Sequence, residues 1–108
     1  MKTLTVFNYP EIVRAAGDAA YAAVEKLSLT GKERDIAYRA LASEALVVAL
    51  GRKYAREFYW SYTEDMPSIA RRYVAENGGA VTLPTSTQMA GWKIDFNRGR
   101  VVPSRRGE

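Results

Sequence analysis

A chain of 108 residues with a formal net charge of +4 is long enough for one domain and too short for two ordinary ones. Its composition, 47% hydrophobic and 26% charged, fits a globular protein that buries about two-thirds of its extended surface without covalent staples. Neither Cys nor His occurs, which excludes disulfides, thiolate or imidazole metal sites, cysteine nucleophiles and every histidine-based triad.

Residues Thr3 to Phe7 alternate polar with apolar and are rich in β-formers, which predicts a short strand with Leu4 and Val6 inward. The same alternation at the N-terminus lacks the charged and continuous apolar regions of a signal peptide, and the longest apolar run, Ala45 to Leu50, is far short of a membrane span. A cytoplasmic protein is expected. Asn8 before Tyr9-Pro10-Glu11 offers an N-cap, an early Pro and an acid at the positive helix end. Ile12, Val13, Ala16, Ala19, Ala20, Ala23, Val24 and Leu27 then recur at helical spacing, predicting a helix from about 9 to 27. Its stretch Ala15 to Ala20 has little bulk, so a neighbouring backbone can approach closely there.

Thr30 and Glu33 have capping-box spacing and open a second helix. Its apolar stripe runs through Ile36, Ala37, Ala40 and Leu41 to Ala55, Phe58 and Tyr62, so one long helix is expected from about 31 to 62, either straight or bent at Gly51. Ala45 to Leu50 is apolar on all sides and belongs in the middle of the core. Pro67 marks a boundary, Asp65 is the candidate N-cap of a third helix carrying Ile69, Ala70, Tyr73 and Val74 on one face, and Asn77-Gly78-Gly79 stops it. Thereafter the period is two: Ala80 to Leu83, a polar loop Thr85 to Gln88, Trp92 to Phe96, and Arg100 to Val102, with a turn at Asn97-Arg98-Gly99.

The order predicts an α+β fold: an N-terminal strand, three helices and a C-terminal antiparallel hairpin or three-stranded sheet, the first strand joining the hairpin. Residues 1–103 form a single domain in this reading, and 104–108 a flexible basic tail.

The charge is uneven. The first 50 residues carry six basic and six acidic groups, while the remainder carries ten and six. The densest cluster is Arg52-Lys53-Tyr54-Ala55-Arg56-Glu57-Phe58-Tyr59-Trp60. On a helix, Arg52, Arg56, Tyr59 and Trp60 share roughly one face, with Arg56 and Trp60 at cation–π spacing. Phe58 and Tyr62 face the core, and Trp60 either covers the core edge or stays free for contact. Arg, Tyr and Trp are the residues enriched at protein-interface hot spots, and they also suit phosphate backbones with stacked bases. Arg52, Lys53, Arg56, Tyr59 and Trp60, supported by Arg71 and Arg72, are therefore the candidate partner-binding residues. Lys93, Arg98, Arg100, Arg105 and Arg106 are candidates for nucleic-acid contact.

No catalytic, cofactor-binding or metal-ligating set emerges: Glu64-Asp65 and Asp95 suit caps and turns better than acid/base pairs, and Gly78-Gly79 follows a helix, the wrong context for a phosphate loop. The parts list of a helix, an Arg-bearing hairpin and a basic tail resembles that of winged-helix proteins. It departs from them in having Pro67 and Glu64-Asp65 just before the candidate recognition helix. In general type the chain resembles the small inhibitors and regulators encoded by phages and mobile elements, anti-CRISPR proteins among them, a likeness that rests on no motif. It implies a non-enzymatic protein that occupies a surface of a larger protein or nucleoprotein complex; the alternative is direct DNA or RNA binding by the basic second half. Monomer and homodimer both remain open.

Overall fold

A computed structural model describes residues 4–61 and 63–102. The expected inward-facing Tyr62, and the tail with Arg105 and Arg106, lie outside the described residues. The fold is α+β: among the described residues there are five α-helices and two small antiparallel strand pairs. Strand β1 (Leu4–Thr5) runs through a 3-10 turn at Val6–Asn8 into helix α1 (Tyr9–Lys26). Helices α2 (Gly31–Leu50), α3 (Arg52–Trp60) and α4 (Met66–Asn77) follow, a second 3-10 turn at Thr63–Asp65 lying between the last two. Strand β2 (Ala80–Val81), helix α5 (Ser86–Ala90) and strands β3 (Ile94–Asp95) and β4 (Arg100–Val101) complete the order. No helix among the described residues is long and apolar enough to cross a membrane.

Four expectations are corrected. The long helix from 31 to 62 is two helices, because Gly51 takes φ 89 and ψ 151, a conformation essentially reserved for glycine, and serves both as the end of α2 and the start of α3. β1 joins β2 and not the C-terminal hairpin, with Leu4 opposite Val81 and Thr5 opposite Ala80. This pairing needs only that α4 return the chain beside the N-terminus, and α4 does pack against the Val6–Asn8 turn. The loop expected at Thr85 to Gln88 begins α5, and it carries the capping box. Thr85 Oγ1 accepts from the Gln88 amide at 3.1 Å, and Gln88 Oε1 accepts from the Thr85 amide at 2.8 Å. The Thr30 side chain makes no such bond: Gly31, at φ 61, turns the chain the opposite way directly after Thr30, and the amide of Glu33 does not meet its hydroxyl.

Other expectations hold in part: Asn8 and Asp65 do stand at the starts of α1 and α4, but neither side chain makes a capping hydrogen bond. Leu4 and Val6 are buried, as are Ile12, Ala16, Ala20, Ala23 and Val24 along α1, although Val13 lies exposed. Gly78, at φ 84, ends α4. In the hairpin, Ile94 faces Val101 and Asp95 faces Arg100, which leaves residues 96–99 as the loop. Asp95 closes it: its carboxylate accepts from the Asn97 and Arg98 amides at 2.9 and 3.1 Å, and its carbonyl accepts from the Gly99 amide at 2.7 Å, with Gly99 at φ 71.

The core has two parts. Residues of β1, α1, α3, α4 and β2 form one cluster around Phe58, where Tyr9 stacks on Phe58 with ring centroids 4.5 Å apart. α1, α2, α5 and β4 form the other, around Leu41 and Met89. Leu46 and Leu83 pack against both. The stretch Ala45 to Leu50 thus lies between the clusters, but only its ends are fully buried. Its middle borders surface hollows: Leu46 and Val47 one, Val48 another beside Trp92, and Val48 and Ala49 a third beside Tyr54 and Tyr73.

Candidate functional site

The break at Gly51 decides what α3 presents. In a nine-residue helix, Tyr54 and Phe58 lie four apart and both are buried, which turns the rest of the helix outward. Lys53 and Glu57 look toward α4. The Glu57 carboxylate pairs with the Arg72 guanidinium, and the cationic groups of both Lys53 and Arg72 lie over the Tyr54 ring. The Tyr54 hydroxyl donates to Glu76 Oε1 at 2.7 Å, and its ring meets Tyr73 edge-on at 5.1 Å. These contacts tie α3 to α4. The hydrogen bond from Arg72 holds the Glu57 carboxyl below its ordinary value, although partial burial opposes this. The bond to Glu76 raises the Tyr54 phenol, because the neutral hydroxyl is the donor.

The remaining face of α3 borders a groove of about 310 Å³ in the elbow between α2 and α3. Arg52, Ala55, Arg56, Tyr59 and Trp60 come from α3. Ser43, Leu46 and Val47 come from α2, and Tyr9 from the start of α1. Tyr59 and Trp60 are each 73% exposed and meet edge-to-face at 5.1 Å. Trp60 therefore does not cover the core edge, and the expected Arg56–Trp60 stacking does not form: among the described residues the cation–π contacts fall on Tyr54 and Tyr21.

Four of the sequence-derived candidates, Arg52, Arg56, Tyr59 and Trp60, thus share one groove. Lys53 and Arg72 stand on the α4 side of α3, with Arg72 engaged by Glu57, and Arg71 is exposed on α4. Lys93, Arg98 and Arg100 are exposed on or beside the hairpin, which packs on α2 and contributes nothing to the groove lining. Arg98 lies 3.8 Å from the Asp95 carboxylate. The contributions of Tyr9 and of Ser43, Leu46 and Val47 escape sequence reading, because periodicity reports which side of a helix is apolar but not which distant helix shares a hollow with it. A capping-box signature at Thr85 and Gln88 was the available signal for α5. Among the described residues no group of three or more Asp or Glu could hold a metal ion. No family model matches the chain, and no match was found among curated proteins or solved structures.

Proposed function

We propose that this is a non-enzymatic binding protein that inhibits or regulates a larger protein by occupying one of its surfaces through the α2–α3 groove. The observation that carries this reading is the exposure of Tyr59 and Trp60, held ring against ring beside an apolar hollow. Full burial of a large apolar side chain is worth about 1.5–3 kcal/mol, so two aromatics left in water are an unspent driving force for association. Their mutual contact restricts both before binding, which lowers the ordering cost. Arg52 and Arg56 at the same groove complete the residue set typical of interface hot spots. The general likeness to small inhibitors from phages and mobile elements points to a nucleic-acid-handling complex as the target.

The test is affinity capture from cells of the source organism with wild-type, Arg56→Ala and Trp60→Ala protein. Proteins retained by the wild type should be lost with both variants while circular dichroism and thermal stability stay unchanged. Equal capture by Trp60→Ala overturns this choice of surface. The second reading, direct DNA or RNA contact, draws on the exposed Lys93 and Arg100 of the hairpin region. It requires binding to generic oligonucleotides whose log K falls with log salt by about 0.9 per neutralised phosphate.

A further inference from the structure

We infer that the groove accepts an acidic segment of the partner protein, with one large apolar side chain seated against Tyr59, Trp60 and Leu46 and a neighbouring carboxylate on Arg56. This rests on the reading of the groove as a protein-docking site and adds the chemistry of its occupant. Three observations support it. First, the charged groups lining the groove are cations only, with no carboxylate among its lining residues. Its side-chain polar atoms are guanidinium and indole N–H groups, which only donate, and hydroxyls, which are able to. A lining of donors around aliphatic and aromatic carbon calls for an apolar ligand that brings its own acceptors.

Second, Arg56 brings to the groove a guanidinium that no carboxylate among the described residues engages, a condition it shares with Arg14, Arg71 and Arg100, none of which lines the groove. Arg34, Arg39, Arg72 and Arg98 each have a carboxylate of this chain within ion-pair range, at Glu25, Asp35, Glu57 and Asp95. Arg56 makes no ion pair, hydrogen bond or ring contact among the described residues. A planar guanidinium at the edge of an apolar hollow is positioned for bidentate pairing with an incoming carboxylate. Third, a hollow of about 310 Å³ lies at the small end of binding cavities and suits one or two side chains. Nucleic acid fits less well. A phosphate backbone needs a row of cations, whereas the groove has two, and Arg72 on the far side of α3 is taken by Glu57.

The experiment is selection of a displayed library of short random peptides on the full chain, followed by binding measurements with labelled synthetic copies of the enriched peptides. Enriched peptides should carry a large apolar residue with Asp or Glu within four positions. Arg56→Glu and Trp60→Ala should each weaken them by about tenfold or more, with Arg56→Lys losing less than Arg56→Glu. Enrichment without acidic residues, or affinity indifferent to Arg56→Glu, overturns the acidic-segment inference and leaves the groove reading standing. Affinity indifferent to Trp60→Ala places the ligand elsewhere and overturns both. Failure to enrich any peptide, or displacement of bound peptide by a single-stranded oligonucleotide in an Arg56-dependent manner, also overturns the inference, the latter in favour of nucleic acid.

Discussion

Gly17 lies on α1 where Tyr38 of α2 crosses it, and a Cβ at that position would come within 2.8 Å of the Tyr38 hydroxyl oxygen but 3.8 Å from the ring carbon bearing it. The low bulk of Ala15 to Ala20 is thus used by a side chain of this same protein. Glycine inside a helix costs roughly 0.5–1 kcal/mol relative to alanine, and displacing the half-exposed Tyr38 offsets most of that gain. Gly17→Ala should therefore be close to neutral alone, yet stabilise the Tyr38→Phe variant by about 0.5–1 kcal/mol in urea denaturation. Equal effects in the two backgrounds would refute the steric account. Glu57 makes a second prediction. Its carboxyl is lowered by Arg72, so the folded state favours the ionised form. The resulting stability is fully present above the ordinary glutamate pKa of about 4.3 and is lost as pH falls through the lowered folded value. The melting-temperature advantage of the wild type over Glu57→Gln should be constant near neutrality and close on acidification. An advantage that grows on acidification would contradict that sign.

At the scale of elements, the elbow at Gly51 matters most. The apolar periodicity of α2 resumes in α3, so the local pattern favours one continuous rod, and only the φ 89, ψ 151 conformation of a single residue divides it. No other heavy atom outside its neighbours would lie within 4 Å of a Cβ there, so the objection to a side chain is conformational and not steric. Gly51→Ala should cost about 1–3 kcal/mol, or straighten the elbow and remove the groove. In either case groove binding falls together with stability, unlike Trp60→Ala, which should separate them. Calorimetry with peptide titration checks both. Helices α1 and α4 and the hairpin turn are legible because stop signals and i, i+4 spacing act within a few residues. The elbow is less so: Gly51 identifies where a bend is permitted, but whether the helix bends depends on Tyr54 and Phe58 finding a core formed by Tyr9, Ile69 and Tyr73.

Across the whole molecule, the two core clusters are joined through Leu46 and Leu83, each packed against both. Loss of either cluster strips one side of these residues, which couples the halves into one folding unit. Met89, fully buried in the α1–α5 part, tests this: Met89→Ala should cost about 2–5 kcal/mol, with circular dichroism and tryptophan fluorescence still reporting one coincident transition. Separate transitions would divide the chain into two units. By itself, the sequence determined helices α1 and α4 and the helical character of the chain on either side of Gly51, the turn at Asn97 to Gly99, the absence of thiol and imidazole chemistry, and the placing of Arg52, Arg56, Tyr59 and Trp60 on one helix face. All of these follow from composition or from relations within about one helical turn. Tertiary structure alone decided that β1 pairs with β2, that Glu57 claims Arg72, and that Tyr9, Leu46 and Val47 meet the arginine–aromatic face of α3. Those outcomes are contests between segments far apart in the chain. The winner is set by which arrangement buries the most apolar surface while pairing its polar groups, a quantity that no local pattern contains.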